Sequence, residues 1–364
     1  MKTAYYKKLN SEEIKSFGKE LESLREEVLS KVGEEDAAYI RRIHSLARYN
    51  EILGRLLIHF SLDPLTWMGG VGMLSLSKIL DNMEIGHNVM HGQFDWMNEP
   101  SLHSKYFDWD NACDSDQWKY SHNYMHHTFT NVIGKDHDFG YGFMRLSKER
   151  EWNPSHLLQP ITNFFLALSF QWGVGRHGYN VEFFELPEEE RTKIAFKEKR
   201  EKFLKKREKI AIKDYLLFPL LSGPFFPKVL LGNLLANMAR NIWAYSVIWC
   251  GHFTDNVETF TEEDILNENR AEWYLRQIKG SSNVEGSQFF YLMSGHLSHQ
   301  IEHHLFPDIP ANRYEEIAPR LKEICERYGQ HYNTGGFWSQ FSQTWKRIFA
   351  YSLPDNYAEK IMAV

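Results

Sequence analysis

The sequence predicts an all-α protein, and three observations carry that prediction. Apolar residues recur at helical spacing near both ends of the chain. Two apolar segments separated only by Asp63-Pro64 read as a helical hairpin with a Pro-marked turn. No internal repeat and no run of alternating strands is visible in the 364 residues.

Taken in order, residues 11–46 read as one long amphipathic helix. Ser11 followed by Glu12 and Glu13 is an N-terminal signature, and Ile14, Phe17, Leu21, Leu24, Val28 and Val32 then share a face. Residues 50–62 and 64–85 form the hairpin, and a polar, Trp-rich stretch follows at 94–120. The charge-dense run 181–213 reads as a solvated helix. From Asn312 onward, Ile317, Leu321, Ile324 and Tyr328 again mark one helical face.

Bulk properties narrow the function. Net charge is -6 and the pI is about 6.3, so no basic footprint for nucleic acid is present. Three cysteines, Cys113, Cys250 and Cys325, lie far apart. That spacing gives neither a disulfide framework nor a cysteine zinc site. The first twenty residues are polar and charged, which does not read as a secretory signal. Mean hydropathy is -0.49, yet charge-free apolar stretches occur at 64–77, 152–175, 215–227 and 241–254, the second alone long enough to span. A spanning helix needs about 17 or more apolar residues, so hydropathy alone leaves membrane helices and buried core helices both open.

The 17 histidines are the informative feature. They concentrate in three words: GHNVMH (His87, His91), SHNYMHHT (His122, His126, His127) and SGHLSHQIEHHLFPDIP (His296, His299, Gln300, His303, His304). Neighbours three or four apart on a helix share a face, so each word aims several imidazoles one way. Imidazole suits Zn, Cu, Fe and Ni. About eight such nitrogens exceed the four ligands of a zinc site and fit two metals. The bland reading, a satisfied core histidine, suits the isolated His44, His59, His103, His156, His177 and His331 but not the doublets. The H-E-x-x-H word is absent. Only one E-x-x-H unit exists (Glu84, His87), where a carboxylate-rich di-iron bundle needs two.

H-x3-H, H-x3-HH and Q-x2-HH, in this order, resemble the three histidine boxes of the membrane fatty-acid desaturase family. The flanking words NMEIGHNVMHGQFDWMN, HNYMHHTFTNVIGKDHD and HQIEHHLFPDIPANRY are similar too, closest to the bacterial branch with the mycobacterial stearoyl-CoA desaturases. The likeness runs from about residue 12 to 355. It implies two non-haem irons, O2 as co-substrate, a long-chain acyl substrate bound to CoA or lipid, and a cis double bond as product. It also implies a further ligand after the last span, at His252 in IWCGHFTD. Gln300 stands where some members have histidine, as a weak ligand or an orienting group. On an ideal wheel at about 100° per residue, His296 and Gln300 fall between His303 and His304, and His299 falls outside. The expected metal set is therefore His87, His91, His122, His126, His127, His252, His303 and His304, with Gln300 and His296 added. Asp81, Glu84, Asp136, Asp138, Glu302 and His299 are the candidates for holding those ligands from behind.

The implied architecture is an integral membrane protein of helical hairpins, about four spans, with a cytoplasmic helical cap around the di-iron site. Residues 1–49 form an N-terminal cytoplasmic helix, 50–355 the membrane desaturase domain and 356–364 a short tail. The spans are the 50–85 hairpin and a second one, 213–227 with 229–251, turning at Pro224 to Lys228. The basic run Lys197, Lys199, Arg200, Lys202, Lys205, Lys206 and Arg207 argues for the cytoplasmic side of an inner membrane, with 157–175 lying in the interface. No haem-binding His-Pro-Gly-Gly word and no Gly-rich dinucleotide loop occurs, so electrons must come from a ferredoxin or flavin reductase. Two alternatives stay open: a hydroxylase on the same boxes, and a membrane protein that only binds metal.

Overall fold

The computed structural model describes residues 6–363; residues 1–5 and Val364, which begin the expected 1–49 segment and end the expected tail, lie outside the described residues. The chain is mostly helical. Its longer helices are α1 (Ser11–Leu29), α2 (Glu34–Phe60), α3 (Pro64–Leu80), α4 (Gln159–Leu168), α5 (Phe170–Phe184), α6 (Lys193–Ile212), α7 (Phe226–His252), α8 (Arg270–Lys279), α9 (Gln300–Leu305), α10 (Tyr314–Arg327), α11 (Phe337–Ser352) and α12 (Asp355–Met362). Two three-residue strands, β1 (Asn283–Glu285) and β2 (Thr334–Gly336), pair in parallel with Asn283 opposite Thr334. They are too short to leave an alternation in the sequence.

Several boundaries differ from expectation. The helix expected over 11–46 is two, α1 and α2, separated at Ser30–Gly33, and the cap is Asn10 rather than Ser11. Asn10 accepts from the Glu12 and Glu13 amides while the Glu13 carboxylate accepts from the Asn10 amide, a complete capping box. The 157–175 segment breaks at Ser169. The turn expected at Pro224 to Lys228 comes earlier, at Ser222–Phe225, and α7 already begins at Phe226.

The chain divides into two compact units. The first takes the described parts of Met1–Asp36, His122–Phe164 and Ser246–Val364. Its core joins Phe17, Leu21, Leu24 and Val28 of α1 to Tyr274 and Ile278 of α8, Ile301 and Leu305 of α9, and Ile317, Leu321 and Ile324 of α10. The apolar faces read from the sequence at both ends thus bury against each other.

The second unit takes Ala37–Ser121 and Phe165–Tyr245. Asp63 caps α3, accepting from the Thr66 amide at 2.8 Å, and Pro64 occupies its first turn. A Cβ on Gly54 would lie 2.7 Å from the Leu74 amide, and one on Gly70 2.8 Å from the Ile58 amide. The α2–α3 hairpin therefore closes on bare backbone at both glycines. Among the described residues no helix is long and apolar enough to cross a membrane. The expected spans fall short because their segments bury polar side chains: Arg55, Lys78, Asp214, Asn233, Asn237 and Arg240.

Candidate metal centre

Two of the three histidine words begin on π-helical turns, Asp81–His87 and Lys119–His126, and continue past them to His91 and His127. Such wide turns concentrate at functional sites, and the i,i+4 spacing of the histidines is compatible with either helix type. The third word enters α9 only at Gln300. Gly295 and His296 have left-handed backbone, with φ of 68° and 55°, so 294–299 is not the regular helix on which the wheel was drawn.

In the first unit three imidazoles converge through Nε2. His126 and His252 approach to 3.3 Å, and His252 and His304 to 3.1 Å. Each is held from behind at Nδ1. His126 Nδ1 meets both oxygens of Asp136 at 3.0 and 3.1 Å. His252 Nδ1 meets the Gly280 carbonyl at 3.2 Å. His304 Nδ1 meets Gln277 Oε1 at 3.0 Å and Thr130 Oγ1 at 3.2 Å. Every one of these partners accepts: Thr130 gives its own proton to the His126 carbonyl, and Gln277 Nε2 donates to the His127 carbonyl. The imidazoles must therefore donate from Nδ1, which leaves Nε2 as a lone pair.

The same arrangement recurs at three more histidines. His122 Nδ1 lies 3.2 Å from Asp138 Oδ2. His303 Nδ1 lies 3.3 Å from the Tyr314 hydroxyl, whose proton goes to the Phe306 carbonyl. In the second unit, His87 Nδ1 lies 3.0 Å from Asn88 Oδ1, whose amide is fixed by donation to the Glu84 carbonyl. There His87 and His91 pair with ring centres 4.6 Å apart beside Trp118. In the first unit the His127 ring stacks on His304 at 4.3 Å and meets His303 edge-on at 4.7 Å.

Such convergence tests whether the residues fit a metal. Three buried lone pairs that meet at 3.1 and 3.3 Å along two of their edges, all within 4.8 Å, repel, and one proton can bridge only one pair. A cation answers all three, and edges of 3.1–3.3 Å suit nitrogens about 2.1 Å from an ion. Electrostatics agree. Burial, reinforced by neighbouring imidazoles, holds the pKa of His252 and of His304 well below the usual range, so both stay neutral. Burial also works against a charge on His126, but the Asp136 carboxylate overcomes it and raises that pKa. The carboxylate thus draws positive charge to the point where the three rings meet. The donor set fits a metal.

Gln300 adds to this point. As oriented, its Nε2 donates to the His252 Nε2 lone pair at 2.9 Å, and its buried Oε1, with no hydrogen-bond partner among the described residues, is the atom a turned amide would offer a cation. A Cβ on Gly251 would lie 2.8–3.1 Å from the Gln300 side chain, so glycine there lets the amide reach the site. His296 lies elsewhere, its Nε2 3.7 Å from Glu315. His299 packs against Tyr291 with ring centres 4.6 Å apart, and burial beside His296 pushes its pKa down to about 4. Glu302 turns away from the rings toward Tyr332 and Asn283, at 2.6 and 2.8 Å, and burial raises its pKa to about 7. Asp81 pairs with Arg48 and accepts from the Asp110 amide. The Glu84 carboxylate accepts from the Tyr39 hydroxyl at 2.8 Å. Of the acids expected behind the ligands, Asp136 and Asp138 contact histidines directly. Gln277, Thr130, Tyr314 and Asn88 serve the same purpose and were not singled out in the sequence. Among the isolated histidines, His59 is satisfied by the Arg55 and Phe218 carbonyls at 2.7 and 3.0 Å.

Fold and site together define a helical protein with a buried, nitrogen-rich cluster of side chains that fits a metal. The sequence profile of the fatty acid desaturase family matches residues 65–336. The chain is 41% identical over 353 residues to the NADPH-dependent stearoyl-CoA 9-desaturase of Mycobacterium tuberculosis, covering 96% of this chain and 82% of that one. It is 27% identical over 230 residues to the sn-1 linoleoyl-lipid 6-desaturase of a Synechocystis strain, covering 59% and 60% of the two chains. Over 125 residues it is 33% identical to human fatty acid desaturase 3, covering 34% and 26%. The chain belongs to the fatty acid desaturase family, and it is an oxidoreductase acting on fatty acyl groups.

Proposed function

We propose that this protein is an O2-dependent acyl-CoA desaturase that places a cis double bond in a long saturated chain. The observation that carries the reading is the shared tautomer of five box histidines and His252, each donating from Nδ1 and presenting Nε2. Two irons would be held by His87, His91, His122, His126, His127, His252, His303 and His304. The buried Gln300 amide is better placed than His296 to complete the set. When bound, iron supplies redox chemistry with O2: two hydrogens leave adjacent methylenes, and O2 with two further electrons and two protons becomes two waters. Neutral His252 and His304 keep their lone pairs for the metal, and Asp136 balances its charge through His126. Burial keeps bulk water away from these rings.

An acyl-CoA substrate is supported by the name of the M. tuberculosis relative. NADPH in that name supports an external donor of the ferredoxin or flavin-reductase type. We further propose membrane embedding through helical hairpins, with the metal centre on the cytoplasmic side of the inner membrane. Exposed Leu46, Tyr49, Leu53, Leu56 and Phe60 run along one side of α2 at helical spacing, and Leu65 and Met68 continue on α3. α2 and α7 have 27 residues each, about 40 Å at 1.5 Å per residue, against a hydrocarbon core of about 30 Å.

The test is a single turnover. Iron-loaded protein, stearoyl-CoA and dithionite are mixed without oxygen and then exposed to air. The expected product is an olefin. An alcohol would make the protein a hydroxylase, and no product from iron-loaded protein would leave a metal-binding protein.

A further inference from the structure

One of the side chains behind the three converging imidazoles lies far in sequence from every histidine word. Gln277, on α8, is fully buried. Its amide has one possible orientation. The His127 carbonyl can only accept, so the nitrogen faces it at 3.3 Å. Oε1 is then turned to His304 Nδ1 at 3.0 Å. One side chain thus grips the backbone of the second histidine word and the ring of the third.

The neighbouring Arg276 points to the same purpose. Its guanidinium donates to the Thr128 carbonyl at 2.9 Å and the Thr130 carbonyl at 3.3 Å, and is anchored by Glu268 at 2.7 Å. Two successive residues of α8 therefore hold the turn that follows His126 and His127. The partners of the three rings also differ in charge. His126 is backed by a carboxylate, whereas His252 and His304 are backed by a carbonyl and an amide. A carboxylate behind an imidazole makes it a stronger donor to metal than a neutral acceptor does.

We propose that Gln277 is a positioning residue of the metal centre: it fixes the proton of His304 on Nδ1, ties the second histidine word to the third, and by being neutral holds the metal's reduction potential up. This rests on the metal-centre reading above. Thr130 Oγ1 also accepts from His304 Nδ1, so losing Gln277 alone leaves one of two acceptors in place.

The experiment compares Gln277→Leu, Gln277→Glu and Gln277→Leu with Thr130→Val, each loaded with ferrous iron in detergent. Iron loss to a strong chelator and the reduction potential of the bound iron are measured, with thermal unfolding as the check on folding. Gln277→Leu should lose iron about 10-fold faster and the double variant about 100-fold faster, the range for partners of metal ligands. Gln277→Glu keeps an acceptor for His304, gives up the donation to the His127 carbonyl and, measured at alkaline pH where the carboxyl is ionised, adds a charge. It should retain iron better than Gln277→Leu and shift the potential to more negative values. Wild-type iron loss in a folded Gln277→Leu, or an unchanged potential in Gln277→Glu, would overturn the proposal. Should Gln277→Leu not fold, the potential of the near-isosteric Gln277→Glu decides. A wild-type protein that takes up no iron would overturn the metal-centre reading itself.

Discussion

Two of the groups of polar side chains buried among the described residues are built on opposite plans. In the second unit, Asp214 is fully buried and meets Arg55, Lys78 and Asn237 at 3.3, 2.8 and 3.0 Å. Asp110 pairs with Lys78 and Lys213, and Arg240 donates to the Asp110 carbonyl and to Asn237. Positive and negative groups alternate, so the cluster answers its own charges. In the first unit, the acceptors are all on the outside and the lone pairs of His126, His252 and His304 all face inward. Burying polar groups is a structural solution when they complement each other. It becomes a binding site when they do not.

Removing one inward lone pair is the sharpest way to break the comparison. His304→Ala or His252→Ala should abolish turnover and release iron, because each ring supplies one of the three converging nitrogens. Folding should suffer less, since a repulsive contact disappears with the ring. Metal analysis and olefin yield read the first effect, and thermal unfolding of metal-free protein reads the second. Full activity in either variant would remove that residue from the ligand set.

The self-satisfied cluster should respond the other way. Asp214→Ala leaves Lys78 and Arg55 without their shared carboxylate, and breaking a buried ion pair from one side costs about 3–5 kcal/mol. Denaturation in detergent should show that loss, while protein that remains folded binds iron like wild type. If Asp214→Ala instead lost iron without losing stability, the cluster would belong to the site and the contrast drawn here would fail.

How much of this was legible beforehand follows from where the partners lie. The histidine words could be read because their spacing is local, and Asp136 and Asp138 lie only ten and sixteen residues from the rings they meet. His252 was reached through family resemblance, since one isolated histidine carries no spacing. Gln277, Thr130 and Tyr314 could not be read at all, because their roles exist only once α8, α9 and α10 pack together. Periodicity located the helical faces of α1 and α10 but not the break at Ser30–Gly33, which an amphipathic pattern passes through without interruption. The wheel failed at 294–299 for a backbone reason: left-handed Gly295 and His296 reset the phase before α9 begins.

A smaller change sharpens the same contrast by moving a neighbour of the site. Gly251→Ala would put a methyl group 2.8–3.1 Å from Cγ, Cδ and Oε1 of Gln300. The amide must shift away from His252, while the three imidazoles keep their partners. Iron should stay bound, with turnover falling about 10-fold, in the range for losing a group that orients the first ligands. An unchanged rate would mean that the Gln300 amide has no part in the reaction. Gln300→Ala, which removes the amide without crowding the helix, checks the assignment independently.

The smallest effect is expected at His299, although it lies between His296 and Gln300 in the densest histidine word. Its ring meets Tyr291 edge-on in the first unit rather than facing the converging nitrogens, and its Nδ1 lies 3.5 Å from Ser298 Oγ. Burial keeps its pKa near 4, so at neutral pH it is an uncharged ring filling space. Phenylalanine has nearly that shape and adds one ring atom, so overpacking should cost about 1–3 kcal/mol at most. His299→Phe should therefore keep its iron and turn over within about threefold of wild type, whereas Gln300→Ala loses turnover and His304→Ala loses both. Iron content and olefin yield of the three variants, measured side by side, provide the check. If His299→Phe lost iron, a ring with no lone pair aimed at the site would be supporting it, and convergence of lone pairs would no longer separate the binding histidines from the packing ones.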